Sequence, residues 1–379
     1  MRAALASFAR TNLAGQFVWL ELDYDQPSNE AFFARHLPAF PQLMVVDPES
    51  EAVTSLWTGS ATAEQLSAFL TQALARPSGA TGAADRADAA LRRGDGLLAA
   101  GDPAGALTVY EAALAAGGMG WPARDHALEQ LLTALQLSDP PRCAARAVAE
   151  APRMARAHPF VTIALTGLSC AATDRAIAVS ADARRLEALV NEALALPAAS
   201  EDDHYQSYEA LHAVRVHAGD PAGARAIATR YLTFVDGLAA PRSTDERLAR
   251  DLARLRAETK LGSAARAIAA LEATAAALPT SDTAASQLAQ AYVAAGRDAD
   301  AIAACGRGLA LRPGPTARAR LLATRARAAA HRGDVAAARR DLADGLAAAA
   351  AITLPSARSQ TTSQLQRQLD ALAAAPPSR

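Results

Sequence analysis

The 379-residue sequence predicts a short α/β piece followed by an all-α helical array. Three observations carry this reading. Residues 1–75 alternate apolar strand-like runs with short helical patterns, whereas from Asp85 onward helical periodicity follows helical periodicity. The later part is rich in Ala, Leu and Arg and poor in β-branched residues, a composition that favours helix on intrinsic propensity. Finally, Gly101-Asp-Pro-Ala-Gly-Ala106 recurs letter for letter as Gly219-Asp-Pro-Ala-Gly-Ala224, the mark of an internal repeat.

The elements of the first piece can be justified in order. Phe17 to Asp23 is apolar on both faces, as an interior parallel strand would be. Pro27 to Arg35 reads as a helix with Phe32 and Phe33 available for a core. Leu37-Pro-Ala-Phe-Pro41 cannot be helical, because each proline restricts itself and the residue before it. Gln42 to Val46 is a strand, Asp47-Pro48-Glu49-Ser50 a turn, and Ala52 to Trp57 a returning strand, so a hairpin is expected. Thr62 caps a last helix running to Leu74, with Gln65 placed for a capping box and Leu66, Phe69, Leu70 and Leu74 on one face.

This order, with Phe40-Pro41 directly before Leu43-Met44-Val45-Val46, resembles the second half of the thioredoxin family over residues 1–75. The resemblance implies a cis proline at Pro41, with Phe40 and Pro41 shaping a substrate groove. On the residues alone, the alternatives are an ordinary trans proline at a strand start and plain core packing of Phe40. The family's Cys-x-x-Cys maps onto nothing in this chain. The strand that would carry it belongs between the Phe17 and Leu43 strands, so three strands and two helices would form only a marginal core. The expectation is that this piece docks on the helical region, or that the gene starts upstream of Met1.

Residues 76–84 read as a Pro/Gly linker. Beyond it, Gly-Asp turns punctuate the helices. Gly101 to Gly219 spans 118 residues, Gly219 to Gly296 spans 77 and Gly296 to Gly333 spans 37, close to three, two and one periods of about 38. Glycine ends one helix in a left-handed conformation, and Pro103 or Pro221 opens the next. The clearest unit carries Leu288, Ala289, Tyr292, Gly296, Ala301 and Pro313; a second has Gly94, Leu97, Gly101 and Ala106; Gly219, Ala224 and Gly333 mark others. These units resemble the tetratricopeptide repeat (TPR) over residues 85–352, with residues 353–379 as a capping helix and tail. Cys305 and Gly308 are smaller than usual, so looser packing is expected around them. The predicted fold class is thus an α/β truncated thioredoxin-like piece followed by an all-α TPR-like helical solenoid.

Composition excludes some functions. The formal net charge is −1, which offers no footprint for nucleic acid, and no arginine run is expected to stand apart from acidic neighbours. No apolar stretch is long enough for a membrane span. Cys143, Cys170 and Cys305 are odd in number and far apart, which argues against a disulfide framework and for buried small hydrophobes. The seven histidines do not cluster, so no metal or other cofactor is expected. Glu201-Asp202-Asp203 precedes a helix and suits its N-terminal dipole.

The expected function is a protein-interaction module that binds a protein or peptide partner on the concave face of the repeats. The alternative, implied by the family resemblance, is a thiol-disulfide oxidoreductase whose cysteine pair lies upstream of the present start. Localisation is expected to be cytoplasmic, or periplasmic if a signal peptide precedes Met1.

Overall fold

The computed structural model describes residues 13–22, 29–33, 35–36, 42–58, 61–74, 82–352 and 355–374. The chain divides into two compact units. Unit 1 is Met1–Glu21 with Arg35–Ala224, and unit 2 is Leu22–Ala34 with Arg225–Arg379.

In unit 1, strands β1 (Gln42–Val46) and β2 (Val53–Thr58) form an antiparallel hairpin pairing Leu43 with Trp57 and Met44 with Leu56. Asp47 builds the turn: its Oδ1 accepts from the Ser50 backbone N–H and hydroxyl, each at 2.8 Å. Helix α2 (Ala63–Leu74) follows a reciprocal capping box. The Gln65 N–H donates to Thr62 Oγ1 at 3.2 Å, and the Thr62 N–H donates to Gln65 Oε1 at 2.9 Å. Trp57, Leu66, Phe69 and Leu70 form the core of this piece, with Leu13, Phe17, Leu43 and Val45 packed against it.

One expectation fails here. Residues 17–22 form no strand, and Val18 and Leu20 are 90% and 76% exposed. The described sheet therefore has two strands, not three. Of the expected helix at 27–35, the described part is α1 (Glu30–Phe33), and its phenylalanines join the core of unit 2, where Phe33 is buried. An apolar run is a demand for burial, and the helical region meets part of that demand in place of the sheet.

Unit 1 continues through α3 (Ala83–Ala99), α4 (Pro103–Gly117), α5 (Arg124–Ser138), α6 (Pro140–Glu150), α7 (His158–Ala171), α8 (Arg175–Ala178), α9 (Ala181–Ala193) and α10 (Glu201–His217). Its most extensive packing joins α3 to α4. Gly94 makes this possible, because a Cβ there would lie 2.5 Å from the Tyr110 ring. Of the neighbouring leucines, Leu98 is fully buried and Leu97 only partly. Cys143 on α6 and Cys170 on α7 form a disulfide with Cα atoms 6.1 Å apart, contrary to the expectation of unpaired cysteines. Their separation of 27 residues conceals that consecutive helices bring them face to face.

Helix α11 (Pro221–Asp236) crosses the boundary between the units. Unit 2 then contains α12 (Thr244–Lys260), α13 (Ala265–Ala277), α14 (Asp282–Ala294), α15 (Asp298–Ala310), α16 (Pro315–His331), α17 (Val335–Ala350) and α18 (Pro355–Ala374). Consecutive helices pack as hairpins, and first helices also touch first helices, α12 on α14, α14 on α16 and α16 on α18. On α18, Leu365 is buried and Leu369 and Leu372 pack on the core, whereas Gln366, Arg367 and Asp370 are exposed.

The hairpin turns share one construction. Gly101, Gly219, Gly296 and Gly333 all have φ between +70° and +81°, and Gly262, unmarked in the repeat reading, joins them at +80°. After each glycine, the next N–H reaches back to a carbonyl five residues earlier: Asp102 to Leu97, Asp220 to Arg215, Ser263 to Glu258, Arg297 to Tyr292 and Asp334 to Ala329. In three of the turns that next residue is an aspartate that caps the following helix. Asp102, Asp220 and Asp334 accept from Gly105, Gly223 and Ala337 at 2.8–2.9 Å. The Gly-Asp pair therefore ends one helix and starts the next. The looser packing expected at Cys305 and Gly308 is not found. Both are buried, and a Cβ at Gly308 would sit 3.0 Å from Leu321, so the small residue admits a close helix approach.

Candidate functional site

The described residues contain two kinds of unusual site: buried polar clusters in unit 1 and polar grooves in unit 2.

In unit 1 the outer edge of β2 is satisfied by side chains. The Leu56 N–H donates to Asp95 Oδ2 at 3.0 Å, and Gln130 Nε2 donates to the Leu56 carbonyl at 2.7 Å. Asp95 on α3 and Gln130 on α5 thus occupy the place of a neighbouring strand, and the Tyr110 hydroxyl donates to Asp95 at 2.9 Å. Burial pushes Asp95 up to about 8, against the lowering effect of its hydrogen bonds. Beside it, the His126 ring stacks on Trp57 with centroids 4.7 Å apart, and loss of water drives its pKa down to about 4. Asp88 completes the docking, accepting from Gln72 of α2 at 3.0 Å and from the Trp121 indole at 2.8 Å. A second cluster holds Glu129, His158 and Asp203. Burial, reinforced by Asp125 and Asp203, raises Glu129 well above the usual carboxylate range. Asp203 lies 3.6 Å from His158 and shares a capping box with Ser200; burial raises its pKa, but those hydrogen bonds outweigh it and leave it lowered. The acidic run at the start of α10 therefore acts as a helix cap.

In unit 2, Thr316, Arg320 and Arg327 fall on one stripe of α16, and Thr361, Gln364 and Gln368 on one stripe of α18. With Gln290 of α14 they line a groove of about 220 Å³. Arg320 and Arg327 have no carboxylate partner among the described residues, and partial withdrawal from water lowers the Arg327 pKa. The Gln368 Oε1 is buried with no hydrogen-bond partner. A larger cleft of about 490 Å³ lies at the α16–α17 turn. There Arg325 grips Asp341 with two hydrogen bonds of 2.5 and 2.8 Å, which raises the arginine's pKa and neutralises the cleft floor.

The structure distributes the sequence-predicted residues rather than gathering them. Phe40 and Pro41 lie outside the described residues. Gly94, Leu97, Gly101 and Ala106 belong to the α3–α4 hairpin, Gly219 and Ala224 to the α10–α11 turn, Leu288, Ala289, Tyr292, Gly296 and Ala301 to α14–α15, Pro313 to the link before α16, and Gly333 to the α16–α17 turn. Their visible work is packing and turning. The groove arginines were missed, although a signal was present: residues 301–333 hold seven arginines and no Asp or Glu. That run does stand apart, contrary to the reading of charge, and overall net charge hides it.

No protein-family model matches the sequence, and no curated protein matches it. Among solved structures, a tetratricopeptide repeat protein from Parabacteroides merdae ATCC 43184 is similar at 13% identity and a TM-score of 0.47, covering 74% of this chain and 99% of that one. The hairpins, their period and their shared turns define a TPR-like helical domain on their own evidence. No described helix is long and apolar enough to cross a membrane.

Proposed function

We propose that this chain is a protein-interaction module. The observation that carries the reading is the packing of first helix on first helix through α12, α14, α16 and α18, which lines up a polar face in unit 2. Helical-hairpin arrays use such faces to bind extended segments of other proteins, and the partner is proposed to lie on the concave side of the repeats. Residues 1–75 are proposed as a thioredoxin-like remnant that serves as a structural attachment. The β1–β2 hairpin and capped α2 support that ancestry, while the unformed Phe17 strand weakens it. Cys143 and Cys170 are fully buried within helix packing and do not supply the exposed nucleophilic thiolate that thiol exchange needs.

Selection of a phage-displayed peptide library against the full chain tests the proposal. Enriched peptides whose binding disappears when Thr361→Trp fills the groove are expected. Failure to enrich any peptide family would refute it.

A further inference from the structure

We infer that the groove between α16 and α18 recognises an acidic, extended polypeptide segment. This rests on the interaction-module reading and names its partner's chemistry.

Elsewhere among the described residues, a number of arginines are answered by carboxylates: Arg124 by Glu150, Arg156 by Glu192, Arg215 by Glu187, Arg254 and Arg266 by Asp236, Arg297 by Glu272. The stretch from 301 to 333 has no Asp or Glu of its own. Of its seven arginines, Arg325 alone has a carboxylate partner among the described residues. Arg320 and Arg327, two turns apart on α16, point their unanswered charge along the groove. An exposed arginine without a counter-charge gains a charge-assisted contact when an anionic ligand approaches it.

The rest of the lining selects among anions. Thr361, Gln364 and Gln368 offer both donors and acceptors, the complement of peptide N–H and C=O groups. The Gln368 Oε1 is a buried acceptor awaiting a donor, which a backbone N–H supplies and a phosphate does not. The groove has no aromatic lining on which a base could stack. An extended chain with carboxylate side chains spaced along it fits both the charges and the amides.

The test is fluorescence anisotropy on the full chain with two labelled decapeptides, one alternating Glu and Ser, the other Gln and Ser. The acidic probe should bind at least ~10-fold more tightly, the scale of one or two charge-assisted contacts, and added salt should erase the difference. Arg320→Glu with Arg327→Glu should reduce the acidic probe to the neutral probe's affinity. Both arginines are exposed and have no carboxylate partner among the described residues, so helicity and melting should not change. Equal binding of both probes overturns the acidic assignment but spares the interaction reading. Acidic binding unaffected by the double variant overturns the groove. An oligonucleotide that binds this face when neither peptide does overturns the partner class. If neither these probes nor any displayed peptide binds, the interaction reading falls as well.

Discussion

Asp95→Asn should remove a pH dependence from unit 1 without weakening it near neutrality. Asp95 is buried and accepts from the Leu56 N–H and the Tyr110 hydroxyl. Its folded-state pKa is raised to about 8 from 3.8. A raised acid contributes stability that is complete below its unfolded pKa and is lost as pH rises through the folded one. His126 has the opposite sign: its folded pKa is lowered to about 4 from 6.5, so its contribution is present above 6.5 and lost as pH falls. Between about 4 and 6.5 the two slopes oppose each other; between about 6.5 and 8 that of Asp95 stands without His126. At about 1.4 kcal/mol per pH unit, the wild type should lose about 2 kcal/mol across that upper window. Asparagine imitates the protonated acid, its carbonyl accepting from Leu56 and its amide donating to the Tyr110 oxygen. Other raised carboxyls, Glu129 among them, contribute equally to both proteins, so the difference between the two profiles isolates Asp95. All three tryptophans, Trp19, Trp57 and Trp121, lie in unit 1, so urea unfolding followed by tryptophan fluorescence reports on that unit. Identical slopes for wild type and Asp95→Asn between pH 6.5 and 8 would refute this argument.

Other expectations follow from the same geometry. Gly94→Ala forces a Cβ to within 2.5 Å of the Tyr110 ring and should cost about 1–3 kcal/mol through overpacking, measurable as a lower urea midpoint. Gly296→Ala meets nothing within 4 Å but stands at φ +70°, so its cost should be backbone strain of about 1–2 kcal/mol; a neutral result would mean that the turn adapts. Titration with Ellman's reagent should find one thiol in the unfolded, unreduced chain and three after reduction; three in both would disprove the Cys143–Cys170 bond. In the folded protein, Cys305 should stay unreactive, since burial pushes its thiol up to about 12. Arg325→Met strands the buried Asp341 carboxylate and should destabilise unit 2 by about 3 kcal/mol, read by circular dichroism; restoration by Asp341→Leu in the double variant would confirm the pairing.

Much of the helical part was legible because its signals are local. A glycine with positive φ and an aspartate that caps the next helix need only their immediate neighbours, so the turns at Gly101, Gly219 and Gly333 could be placed from the letters, and Gly296, followed by Arg297-Asp298, from its matching position in the period. Gly262 escaped because neither of the two residues after it is an aspartate, although the backbone makes the same bond. The candidate groove was not legible. Its arginines, threonines and glutamines sit on α16 and α18, and helical spacing alone cannot show that two stripes on different helices face the same space.

The amino-acid sequence by itself determined the helical hairpins, their period, the β1–β2 hairpin and the caps, since each depends on dihedral preference, burial periodicity and hydrogen bonds within a few residues. Tertiary structure alone decided the rest. It brought Cys143 to Cys170, satisfied the β2 edge with Asp95 and Gln130, drew Phe33 into the helical core and left Phe17 to Leu22 without a ladder. The physical reason is that an apolar side chain or an unpaired strand edge states what must be buried or bonded, while the partner that does so is set by which surfaces meet once the helices have packed.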